Sequence, residues 1–399
     1  VQINPVWGFI AAYAVLILLA SKIRKVYIVI AAMIAIYAVL SATPSQIYYS
    51  ATRLMEWNDI RVFVYIFFSM LLAGLMKETG LLEKMVDSLA SSSCRLALTG
   101  VPALIGLMPM PGGALVSAIA LRNKYLNEAK LSRDDSTYLN YWFRHLWVPS
   151  WPLFQSVVIT ASVLYISPID VVSHAWVGTL AAILAGIIVS YPILRRIFCP
   201  SAGATMGVFF ASISPLLALV ILFFSGTPML YSLITVVAIF IVLWRPNKTQ
   251  LANALKLAVK PTIHLVLLES LYFKNLLLET NMGLAMENFA NSLGINELIL
   301  VFMVPFILGL AAGGENFFAS TAMPALTPYL LTGSGVAWGL LAIAYLGGFM
   351  GVMGSPVHLC LALTVDYFES SMGKVLMKTY ASIILSVIIG SVLIFLIYF

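Results

Sequence analysis

Val101-Pro102-Ala103-Leu104-Ile105-Gly106-Leu107 and Val304-Pro305-Phe306-Ile307-Leu308-Gly309-Leu310 stand 203 residues apart and share valine, proline, glycine and leucine in register. The match extends in both directions. Upstream, Leu75-Met76-Lys77-Glu78-Thr79 running into Met85 corresponds to Leu276-Leu277-Leu278-Glu279-Thr280 running into Met286, at an offset of 201. Downstream, Ser117 pairs with Ser320 at 203 and Pro152 with Pro356 at 204. One short apolar match reflects composition, but collinear matches with a slowly drifting offset mark an internal repeat. Residues 1–200 and 201–399 are its two copies.

The solvent for this repeat is lipid. Apolar residues make up 61% of the chain, charged ones only 10%, and the mean hydropathy is +1.00, where a soluble domain carries roughly a quarter charged residues. Apolar runs near the length of a bilayer crossing recur throughout. They predict spans over 6–21, 26–42, 60–76, 137–166, 172–193, 205–224, 228–244, 262–279, 337–366 and 376–398. Two further stretches, 96–121 and 296–330, are interrupted by Gly and Pro and read as re-entrant hairpins. The expected fold is therefore all-α and integral to the membrane, with about ten transmembrane helices plus two re-entrant helical hairpins. Five crossings per copy is odd, so the second copy enters the bilayer upside down and the repeats are inverted. Leu81, Leu82, Met85, Val86 and Leu89 form an apolar stripe after the third span. Met282, Ala285, Met286, Phe289 and Leu293 repeat it, predicting an interfacial amphipathic arm in each copy.

Charge sets the orientation. With the N-terminus outside, eighteen of the 22 Lys and Arg, from Lys22 to Lys378, fall in inner loops and only Arg53 and Arg61 in outer ones. The positive-inside rule then places both termini outside a cell (plasma) membrane. The net charge of +6 lies in short loops and forms no stripe, which argues against nucleic acid. Cys94, Cys199 and Cys360 show neither disulfide nor zinc spacing and read as core filler. The first apolar run lacks a basic flank and a cleavage site, and reads as a retained span.

The chemistry is expected where helix cannot continue. The hairpin tips are Pro109-Met110-Pro111-Gly112-Gly113 and Ala312-Gly313-Gly314-Glu315-Asn316. The long spans break at Val148-Pro149-Ser150-Trp151-Pro152 and Gly351-Val352-Met353-Gly354-Ser355-Pro356. Proline removes a donor and glycine admits unusual backbone angles. The freed N–H groups suit an anion and the freed carbonyls a cation. Candidate solute contacts are Pro111, Gly112, Gly113, Ser150, Gly313, Gly314, Asn316, Ser320, Thr321, Ser355 and His358. Candidate coupling-ion ligands are Glu315, Asn316, Gly112, Ser150 and Gly354, for Na+ or H+, with no other metal or cofactor expected. Glu315 is either a hard-oxygen ligand and proton carrier or a solvated vestibule group. Arg144, beside His145, either attracts an anion or snorkels to the cytoplasm, and His358 is either a site residue or a satisfied core histidine. Glu269 and Lys274 read as buried ion-pair members or as a proton relay.

With these elements in place, the layout resembles the ion transporter superfamily of dicarboxylate, gluconate and citrate permeases. Met108-Pro109-Met110-Pro111-Gly112-Gly113-Ala114 is most similar to a prokaryotic membrane family known as a domain of unknown function within it. The dicarboxylate branch carries Ser-Asn-Thr at each tip. Here the second tip offers Asn316 with Ser320 and Thr321, and the first has Pro-Gly-Gly. The resemblance implies a homodimer with a static scaffold and a mobile transport domain, working as an elevator. The expected function is secondary active transport of a small anionic organic solute, driven by Na+ or H+. The alternatives are a cation/proton exchanger and a lipid-processing enzyme, the latter without an H-E-x-x-H, G-x-S-x-G or P-loop to carry it.

Overall fold

The computed structural model describes residues 2–20, 26–90, 94–107, 113–197, 206–333, 335–356 and 358–399. Helices dominate, and among the described residues the only strands are Leu331–Thr332 and Gly335–Val336, paired antiparallel. The protein is an all-α membrane protein. The first half runs through Pro5–Ala20, Val26–Ser41, Pro44–Arg53, Trp57–Glu78 and the arm Leu81–Ala90 to a hairpin, Cys94–Gly106 and Gly113–Asn123. It closes with a broken helix, Arg133–Arg144 and Gln155–Leu164, followed by Pro168–Leu194. The second half repeats the order: Met206–Phe224, Met229–Trp244, Lys248–Ala258, Pro261–Glu279 and the arm Met282–Ser292. Its hairpin is Glu297–Ala312 returning through Glu315–Phe317, the π-helical turn Phe318–Ala322 and Thr327–Leu330. The second broken helix, Trp338–Gly354 and Leu359–Phe368, precedes Met372–Tyr398.

Among the described residues, four stretches are long and apolar enough to cross a bilayer: Asp59–Glu78, Pro168–Leu194, Trp338–Phe368 and Met372–Tyr398. The polarity of the last helix is inverted relative to a water-soluble protein. It buries Val375, Thr379, Ser382, Ser386 and Gly390 and exposes Met377, Ile384, Ile388, Val392, Phe395 and Leu396. Small and hydroxylated residues pack inward because lipid tails already satisfy the aliphatic face.

Each arm is a separate helix and not an extension of its span, since Gly80 (φ +73°) and Asn281 (φ +52°) turn the chain left-handed between them. Leu81, Leu82 and Met85 are buried while Glu83, Lys84 and Asp87 are exposed, as the stripe requires. The short helices Pro44–Arg53 and Lys248–Ala258 were not expected. Both open on a capping box, Thr43 with Gln46 and Asn247 with Gln250, which satisfies two otherwise orphaned N–H groups at each start.

These capped helices clasp the halves together reciprocally. Gln46 Nε2 donates to the Glu279 carbonyl at 2.8 Å, and Gln250 Nε2 to the Glu78 carbonyl at 2.9 Å. Arg53 pairs with Glu279 at 2.9 Å, and Asn253 donates to Glu78 at 3.0 Å. Each span's C-terminal carbonyls, which lack an intrahelical partner, are thus met by the other half. Within each half the hairpin packs directly on the backbone of the broken helix: a side chain on Gly106 would run into the Arg144 carbonyl, and one on Gly309 into that of Gly348.

A buried ion pair joins the third span to its counterpart. Lys274 donates to Asp59, and Asn275 Nδ2 reaches the other Asp59 oxygen at 2.8 Å; both charged side chains are almost wholly enclosed. Lys274 therefore pairs across helices and not with Glu269. Removing one partner strands a buried charge, at a cost of about 3–5 kcal/mol, whereas replacing both is far milder. Lys274→Met is expected to lower the thermal unfolding midpoint sharply, and Asp59→Leu with Lys274→Met to recover most of the loss; equal loss in single and double variants would contradict this.

Candidate functional site

The first broken helix ends at His145, and residues 145–154 proceed through turns in which Pro149 and Pro152 can donate nothing. The second ends at Ser355, and His358 caps the helix that follows. Into this gap comes the second hairpin. Gly313 adopts φ +64°, and a Cβ there would lie 2.8 Å from His358 N and 2.9 Å from Ser355 Oγ, so only glycine lets the tip seat against the break. Asn316 Nδ2 donates to Gln155 Oε1, tying the same tip to the first broken helix. From the first hairpin, Gly113 lies against Arg144, where a Cβ would sit 2.6 Å from Nη2. Both hairpins and both breaks meet here.

The polar side chains gathered at this point are Arg144, His145, Glu315, Asn316, Ser355, His358 and Cys360. Arg144 is 3% exposed and within electrostatic reach of His145, Glu315, His358 and Cys360. It faces the interior and does not snorkel. His145 Nε2 and His358 Nε2 lie 3.2 Å apart, with ring centroids 4.8 Å apart and nearly perpendicular. His145 Nδ1 meets the Tyr141 carbonyl at 2.7 Å, and the Tyr141 ring flanks both imidazoles. Glu315 is half-buried at the first position of the helix after Gly314. Asn140 Oδ1, Asn316 Oδ1 and Ser355 Oγ are buried and find no hydrogen-bond partner among the described residues, a costly condition for buried polar atoms.

Other expected residues lie apart. Ser150 shares a hydrogen bond with Thr179 at 2.7 Å and lines an apolar cavity with Trp151, Leu219, Phe223 and Met229. The Gly354 carbonyl accepts from Tyr380 Oη at 2.8 Å. Ser320 and Thr321 are buried in the π-helical turn and donate to the Phe317 carbonyl. Pro111 and Gly112 lie outside the described residues. Glu269 is half-buried, with one carboxylate oxygen unpartnered among the described residues. Cys360, read from the sequence as filler, instead stands beside the two histidines. The signal available was His358-x-Cys360; its partner His145 is 213 residues away and announced by nothing local.

No curated protein matches the sequence. Among solved structures, the YdaH transporter of Alcanivorax borkumensis, described as having an unusual topology, is similar in fold. Its TM-score is 0.63 at 13% identity, over 98% of each chain. The model of the family described as "Protein of unknown function (DUF401)" matches residues 8–397, nearly the whole chain, and the protein belongs to that family.

Proposed function

We propose that the protein is a secondary active transporter of the ion transporter superfamily that moves a small anionic organic solute, coupled to Na+ or H+. The observation that carries this is Arg144: a permanent positive charge held inside the molecule where Gly113 of the first hairpin, the tip of the second and two broken helices converge. A charge within a membrane-embedded core is expensive and marks a pathway. The Gly113 end of the hairpin helix adds N–H groups and partial positive charge on the same side. Opposite them, Glu315 and Asn316 bring hard oxygens suited to a cation. Coupling follows if the cation completes the surface the solute uses, so that the half-loaded state is disfavoured. The fold shared with a transporter supports the reading.

In this reading residues 1–200 and 201–399 are inverted repeats, and the reciprocal clasps between halves are what a two-fold relation in the membrane plane produces. Hairpins and broken helices form the moving part of an elevator, the protein works as a homodimer in the plasma membrane, both termini face outside, and no enzymatic step is involved. In proteoliposomes, Glu315→Gln is expected to abolish or uncouple solute uptake while leaving the folded protein intact by size-exclusion chromatography. Unchanged uptake with unchanged ion dependence would remove Glu315 from the mechanism. The oxygens of Glu315 and Asn316 also suit a cation/proton exchanger. Sodium alone dissipating a pH gradient, with no organic solute added, favours that alternative.

A further inference from the structure

We propose that His145, His358 and Cys360 form a binding site for a late first-row divalent metal ion of the zinc class, joining the first broken helix to the second. Their ligand atoms lie within 4.8 Å of one another and all three side chains are buried. A tetrahedral ion with metal–nitrogen bonds of about 2.0–2.1 Å holds its nitrogen ligands about 3.3 Å apart. The two Nε2 atoms stand 3.2 Å apart. The sulfur must approach by at most about an ångström, within reach of a side-chain rotation, to match a metal–sulfur bond of about 2.3 Å.

The surroundings fit the donor set. His145 Nδ1 is fixed on the Tyr141 carbonyl, the outer-shell bond that leaves Nε2 with its lone pair directed at a metal. Two imidazoles and a thiolate are soft to borderline donors, which select zinc, cobalt, nickel or copper over the hard Na+. Binding takes the proton from the Cys360 thiol and releases it, so the thiolate offsets one of the two metal charges. Glu315, within electrostatic reach of Cys360 and Arg144, offsets the Arg144 guanidinium, so one positive charge stays on the metal centre and favours an anionic exchangeable ligand. Three protein ligands leave a fourth position open, as in metal sites that take an exchangeable ligand. The site is independent of the transport reading, because an ion bound there is detected without any solute.

Chelator-treated protein in detergent is titrated with Co2+ and followed by absorption. One equivalent is expected to produce a thiolate-to-cobalt charge-transfer band together with the visible bands of a tetrahedral ion, and Zn2+ is expected to bleach both. Cys360→Ser should lose the charge-transfer band while keeping the metal-free unfolding midpoint, and His145→Ala should weaken Co2+ binding at least tenfold. Absence of the band in the native protein overturns the proposal. So does its persistence in Cys360→Ser, which would place the thiolate at Cys94 or Cys199. If Cys360→Ser does not purify folded, the protein with Cys94→Ser and Cys199→Ser decides: retention of the band supports the site and its loss overturns it.

Discussion

Replacing Arg144 by glutamine is expected to lower solute uptake about 30- to 700-fold, through weaker binding more than through loss of folded protein. Removing one side of a buried, charge-assisted contact costs about 2–4 kcal/mol, at about 1.4 kcal/mol per tenfold. Glutamine keeps two of the five N–H donors on a shorter side chain, so what it deletes is the charge and the guanidinium fork together. Lysine restores the charge as a point and not as a planar fork, and Arg144→Lys should recover only part of the uptake. Initial rates across solute concentrations in proteoliposomes separate apparent affinity from maximal rate. A normal half-saturation constant in Arg144→Gln would show that the guanidinium does not face the solute.

The second large effect concerns packing. Gly347, Gly348 and Gly351 of the helix Trp338–Gly354 face the helix Glu297–Ala312 and the turn after it. Side chains at Gly347 and Gly351 would drive into the carbonyls of Phe302 and Phe306, and one at Gly348 into the Phe318 ring. Without a hydrophobic drive between helices in lipid, this close approach of backbones is itself the source of adhesion. Gly347→Val must separate two backbones, since a carbonyl cannot rotate out of the way as a side-chain tip can. A loss of about 3 kcal/mol or more is expected, seen as a collapse of the monodisperse fraction after mild heating. Gly373→Ala is the matched control: a Cβ there meets nothing within 4 Å, and its midpoint should be unchanged or slightly raised. Equal behaviour of the two variants would mean that the packing of these helices does not limit stability.

Where helices begin, break and turn was largely legible, because Pro149, Pro152, Gly313 and Pro356 act on their own backbone. The break predicted around Val148–Pro152 is found at 145–154, and that predicted over Gly351–Pro356 begins only at Ser355, with Gly351–Gly354 still helical. The capped helices at Pro44 and Lys248 were legible too, in Thr43-Pro44-Ser45-Gln46 and Asn247-Lys248-Thr249-Gln250, but polarity between spans reads first as loop. Side-chain direction was not legible. Through an unwound segment no period relates neighbouring residues, so nothing local turns Ser150 towards Thr179 or His145 towards His358. Lys274 likewise finds Asp59 at a separation of 215 residues, which only the tertiary arrangement supplies.

The reciprocal clasp also bears on how the chain is made. Gln250 follows Glu78 by 172 residues, so at about 5–20 residues per second the ribosome delivers it on the order of ten to thirty seconds later. Throughout that interval the nascent third helix lacks the amide that finishes it, and lipid headgroups or the insertion machinery must shelter its end. Biogenesis of this protein therefore has a built-in waiting period, set by gene length and not by any slow chemical step.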